Sequence, residues 1–171
     1  MDISTITEAF SDVTIQSPTV GVMLAGLLAV ALVFLSAFAS GSEIAFFSLS
    51  PSDVAELEDG KNPSDRKIQM LREDSERTLA TILITNNFVN VMIVMLLSNI
   101  FVSIVKFGPK AYWLEFLIMT VFLTFLLLLF GEIMPKVYCR QNPLRFCRRC
   151  VDAILFARKI FWPIETILLK S

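Results

Sequence analysis

The chain has 171 residues, is 55% hydrophobic with 15 phenylalanines, lacks histidine, and carries a formal net charge of −1. With a mean hydropathy of +0.68, that composition places it among integral membrane proteins, at a length that suits one small helical bundle. No nucleophile and base pair, Gly-rich phosphate loop or catalytic histidine is available, so an enzyme is not expected.

Residues 1–19 contain no lysine or arginine. The start therefore lacks the positive n-region of a signal peptide, and the apolar run that follows is too long for an h-region, so the first span is expected to stay in the mature protein. That run covers Val20 to Ala39, is interrupted by Ser40-Gly41-Ser42-Glu43, and resumes to Leu49, giving a span of about 20–49. Gly21, Ala25 and Ala29 form a small-residue packing face. Gly41 is expected to let the helix unwind and to offer carbonyls such as that of Ala39, a device of broken helices that bind ions.

The segment from Ser50 to Thr78 carries eight acidic and five basic residues. Ser50-Pro51 and Asn62-Pro63 each read as an N-cap followed by proline at the first helical position, which predicts two short helices separated by Gly60. Ser75 is placed to cap the second span. This span, about 79–105, is uncharged but holds Asn86, Asn87, Asn90 and Asn99. After the Lys106 to Lys110 turn, Tyr112 and Trp113 suit an interfacial belt, and the third span runs over about 112–135.

At the end of that third span stands Phe130-Gly131-Glu132-Ile133-Met134-Pro135-Lys136. Proline has no N–H, and in an α-helix its missing bond is the one to the carbonyl four residues back, that of Gly131. A freed carbonyl beside a carboxylate, within or beside hydrocarbon, needs a metal ion, water or another helix as partner. A salt bridge from Glu132 to Lys136 is the structural competitor.

Beyond Pro135, eight lysines and arginines appear, against five in the 50–78 segment, two in the 106–110 turn and none before residue 20. The positive-inside rule then puts the N-terminus outside and the 50–78 and C-terminal segments in the cytoplasm. Residues 1–138 would form the membrane domain, and 139–171 juxtamembrane amphipathic helices, with arginines toward anionic headgroups and Pro163 near the end. Cys139, Cys147 and Cys150 fall in this region and are expected to pack as reduced thiols. Three cysteines without histidine cannot complete a zinc site within one chain, and palmitoylation is the other reading.

Depth decides whether the polar groups can meet. At about 1.5 Å per residue, Ser40 lies about 14 Å in from Leu49, Asn86 and Asn90 roughly 10 to 17 Å in from Leu79, and Gly131 about 9 Å in from Val137. Asn86 and Asn90 share a helical face, whereas Asn87 points elsewhere. The donor set is the Ser40 hydroxyl, the Asn86 and Asn90 amide oxygens, the Gly131 carbonyl and the Glu132 carboxylate; Glu43, three residues after Ser40, is either a second site carboxylate or a side chain that snorkels to the interface. All are hard oxygens, which select Mg²⁺, Ca²⁺, Mn²⁺ or Na⁺ over zinc or copper. Interhelical hydrogen bonding remains the structural reading for the asparagines, and a bond to its own helix for Ser40.

Ser40-Gly41-Ser42-Glu43, Thr85-Asn86-Asn87-Phe88-Val89-Asn90 and Gly131-Glu132-Ile133-Met134-Pro135-Lys136, in this order and spacing, resemble the transmembrane domain of the CorC/CNNM family over nearly the whole chain. The resemblance implies an all-α, three-span homodimer in the plasma (inner) membrane, with a juxtamembrane helical belt. It implies Mg²⁺ transport, usually export and in some members coupled to Na⁺, through an ion site at Ser40, Asn86, Asn90, Gly131 and Glu132. It also implies cytoplasmic regulatory domains beyond these residues. The alternative function is a Mg²⁺-sensing membrane scaffold that binds the ion without moving it.

Overall fold

The computed structural model describes residues 13–108 and 111–170, with side chains through Pro163. Lys110 and the first twelve residues, which enter the orientation argument, lie outside these. In chain order the elements are β1 (Val13–Ile15), α1 (Val20–Phe47), α2 (Pro51–Glu58), α3 (Asp65–Glu73), α4 (Ser75–Ile104), β2 (Val105–Phe107), α5 (Tyr112–Leu126), a π-helical segment (Leu127–Ile133), α6 (Met134–Cys139) and α7 (Pro143–Lys170). Three continuous apolar helices result, Val20–Phe47, Ser75–Ile104 and Tyr112–Cys139, of 28, 30 and 28 residues. At about 1.5 Å per residue each exceeds the roughly 30 Å of a hydrocarbon core. The chain is an all-α, multi-pass membrane protein.

Helix α1 lies along α4. Leu32, Val89 and Ile93 are buried between them, with Leu127 of the third span against the cluster. Their outward faces stay apolar: Leu24, Leu27 and Phe34 of α1 and Phe116 and Phe125 of α5 are well exposed, as side chains bathed in lipid would be. At one end, hereafter the hairpin end, β1 pairs antiparallel with β2, Val13 opposite Phe107 and Ile15 opposite Val105. Sequence reading did not anticipate these strands, because three-residue segments are too short to show a period of two.

The other end, the loop end, carries a second core in which Leu57 of α2, Ile68 and Leu71 of α3 and Cys147, Cys150 and Val151 of α7 are buried with Ala45 and Phe46 of α1. Charge closes it. Arg148 spans two helices, its Nε and Nη2 donating to both Asp65 carboxylate oxygens at 2.8 and 3.1 Å and its Nη1 to Glu56 at 2.9 Å. Lys67 pairs with Asp152 at 2.6 Å, and Arg158 with Asp74. The expectation that the α7 arginines face headgroups thus fails for Arg148 and Arg158, which instead dock the acidic connector.

Local sequence signals hold at some helix ends and give way at others. Ser50 caps α2 through a full capping box with Asp53, and Pro51 opens the helix. Gly60 has φ +62°, the left-handed conformation a glycine best supplies. Asn62 is not the cap of α3. It accepts from the Ser64 N–H in a local turn, and the helix begins two residues later than expected, at Asp65. Ser75 is the first residue of α4 and not its cap, which is Asp74. Gly41 does not unwind α1: the helix runs unbroken from Val20 to Phe47. The glycine is needed for space, since a Cβ there would stand 2.6 Å from Cys139 Sγ and 3.2 Å from the Phe146 ring.

The three cysteines are free and buried. A hydrogen-bonding contact with Cys150, followed by burial, raises the Cys147 thiol above its ordinary range. Their role is packing, and no thiol is open to acylation.

Candidate metal centre within the spans

Ser36 is wholly buried on the inner face of α1, and its hydroxyl lies 2.6 Å from Asn90 Oδ1 and 3.2 Å from Asn86 Oδ1. A hydroxyl has one proton to donate. Three oxygens therefore converge with a single hydrogen among them, an arrangement that a cation would stabilise. Four residues further along the same face, the Ser40 hydroxyl is wholly buried and has no partner among the described residues. Ser42 next to it is not available in this way, because it donates back to the Phe38 carbonyl at 2.7 Å.

The third span closes on the same point. Gly131 is buried, and a Cβ on it would sit 3.1 Å from Ser36 Oγ, so that only a glycine lets the backbone come this near without displacing the serine. Here the helix is wound in π register over Leu127–Ile133, with the Met134 N–H donating five residues back to Leu129. Pro135, just beyond, supplies no N–H, and the turn has one donor fewer than it has carbonyls. The α-helical reading in which Gly131 specifically loses its partner needs this correction. In π register the missing bond falls to Phe130, one residue earlier, and the distortion extends over two turns. π-Helical winding inside an α-helix is rare and is found frequently at functional sites.

Sequence reading placed Ser40, Asn86, Asn90 and Gly131 together; the structure gathers Asn86, Asn90 and Gly131 about Ser36 and sets Ser40 one helical turn further along α1. It missed Ser36, the residue that actually joins α1 to α4. The signal was present: Ser36 precedes Ser40 by one helical turn and shares its face. Asn87 is exposed, as its position predicted. Glu132 is half-buried next to Gly131 and makes no hydrogen bond or ion pair with another described residue. Its expected competitor is occupied elsewhere, since Lys136 reaches Glu43 of α1 at 3.1 Å. That ion pair assigns Glu43 a partner one turn toward the loop end from Ser40.

A three-span helical bundle with a cluster of hard oxygen donors between its helices is the architecture of a polytopic membrane protein built around an intramembrane polar site. The chain belongs to the CNNM family: residues 27–171 match the family's Cyclin M transmembrane N-terminal domain. Similar proteins include the metal transporter cnnm-4 of Caenorhabditis elegans, 30% identical over 136 residues, 77% of this chain and 28% of that one. A chloroplastic DUF21 domain-containing protein of Arabidopsis thaliana is 32% identical over 143 residues, 84% of this chain and 21% of its own length. A UPF0053 protein of Haemophilus influenzae is 30% identical over 134 residues, 78% and 30% of the two chains. The chain thus spans less than a third of the length of these relatives.

Proposed function

We propose that this domain transports Mg²⁺, as a secondary-active exporter driven by a Na⁺ gradient, with Ser40, Asn86, Asn90, the Gly131 carbonyl and Glu132 as ligands. Ser36 joins them, making six oxygens, the number of an octahedral Mg²⁺ shell. The observation that carries the reading is the convergence of the buried Ser36 hydroxyl on Asn86 Oδ1 and Asn90 Oδ1, one turn from a Ser40 hydroxyl that is buried with no partner among the described residues. Hard oxygens of this kind suit a hard cation such as Mg²⁺. Glu132 supplies the charge that draws the ion out of water. One carboxylate among neutral oxygens also lets it leave. A homodimer in the plasma membrane, regulated by cytoplasmic domains that follow these residues, is part of the same proposal and rests on family resemblance.

The test is flux. Protein in proteoliposomes with a Mg²⁺-sensitive dye should move the ion, faster with an opposing Na⁺ gradient, and Glu132→Gln and Asn90→Ala should each slow it at least tenfold. Binding without movement in the unsubstituted protein would replace the transporter by a Mg²⁺-sensing scaffold.

A further inference from the structure

We propose that the start of α7 holds the phosphate of an anionic phospholipid, one of whose acyl chains lies in an apolar groove between α1, α4 and α7. The basic residues of α7 divide into two kinds. Arg148 and Arg158 are committed to connector carboxylates. Arg145 and Arg149, one turn apart, are exposed and have no carboxylate partner among the described residues. They line a cavity of about 260 Å³ together with Gln141, Asn142 and Tyr138, which adds amide and phenol donors to two guanidiniums. Fork-shaped donors of this kind suit phosphate oxygens.

The apolar groove, about 360 Å³, begins on the same side of the helix. Arg145, Arg149, Ala153, Phe156 and Ile160 follow one another at helical spacing, and the last three line the groove beneath Leu32 and Leu35 of α1 and Met92 of α4. Phe146 walls the basic cavity and Phe38 the groove, and their rings pack at 5.7 Å, so the two hollows flank one aromatic pair. From Arg149 to Ile160 the helix rises roughly 16 Å, a distance an acyl chain spans. A soluble phosphate would need the basic cavity alone. The adjoining groove, inside the depth of the spans, is what selects a lipid.

The experiment titrates phosphatidylglycerol into the detergent-solubilised protein and reads binding by native mass spectrometry and thermal shift. Phosphatidylcholine and inorganic phosphate are the comparison arms. Wild type should prefer phosphatidylglycerol. Arg145→Gln with Arg149→Gln should weaken that binding about 30-fold, the equivalent of about 1 kcal/mol for each arginine near an anionic surface. Lys159→Gln, the loss of one positive charge away from the cavity, should change it less than twofold. Ala157→Leu, which fills the groove and leaves both arginines, should also weaken it. Equal binding of phosphatidylcholine, full competition by inorganic phosphate, or undiminished binding to the double variant would each overturn the proposal. Mg²⁺ flux is not its readout, so it stands or falls apart from the transport reading.

Discussion

At Ser36 a single hydroxyl holds two amide oxygens and nearly touches a glycine from the third span, which makes it the most consequential residue for the proposed ion site. Ser36→Ala would remove the one donor those oxygens share among the described residues, leaving the buried Asn86 Oδ1 and the half-buried Asn90 Oδ1 without it at a cost of about 1–3 kcal/mol. The expected result is a lower melting temperature in the absence of Mg²⁺ and a Mg²⁺-dependent stabilisation reduced at least tenfold in apparent affinity. A purely structural serine would lower the first and leave the second intact. Depth counting from the sequence found Asn86, Asn90, Ser40 and Gly131 because carboxamides and a glycine beside a carboxylate are conspicuous in apolar helices. Ser36 shares a helical face with Ser40, but a serine in a membrane helix usually bonds its own backbone four residues back, so its place in the sequence alone does not single it out. Only the facing asparagines distinguish it, and which oxygens face one another is a property of packing.

Among the elements, the π-helical segment decides how the third span presents its backbone. Glycine and proline four residues apart were legible as a disturbance of the helix, yet not as a shift to π register, since the identity of the acceptor depends on how the preceding turns are wound. Pro135→Ala restores an N–H donor and relieves the ring clash that disfavours regular α-helix. The substituted protein should be at least as stable as wild type to heat, while its Mg²⁺ affinity and flux fall at least tenfold, because a straightened turn would shift the Gly131 backbone from its close approach to Ser36. Unchanged flux with raised stability would show that the winding serves packing alone. Spans and connector helices were readable for a different reason: long uncharged runs and the Ser50-Pro51 signature are local, and the structure keeps them as Val20–Phe47 and Pro51–Glu58. The β1 and β2 pairing joins residues about 90 positions apart, beyond the reach of any local signal.

For the molecule as a whole, the loop end is clamped by ion pairs that no sequence pattern assigns. Asp65 is fully buried, accepts an N–H from Asn62 at 3.0 Å, and is gripped by Arg148, which also holds Glu56. The Arg148 hydrogen bonds hold the Asp65 carboxyl below its usual range, and the same contact raises Arg148. A carboxylate whose folded pKa is depressed stabilises the fold fully above its unfolded value, about 3.9, and loses that contribution as pH falls through the lower folded value. The melting temperature in detergent should therefore hold steady down to about pH 4 and drop below it. Asp65→Asn should remove that part of the acid limb and cost on the order of 3 kcal/mol at neutral pH, because Arg148 is left with only the half-exposed Glu56. An acid limb of undiminished steepness in the variant would show that the connector is held by the buried Leu57, Ile68 and Leu71 alone. Since those same helices pack on α7, whose start lies against Gly41 of α1, loosening the clamp should also weaken the ion site a turn above, and Mg²⁺ should protect the variant less than the wild type.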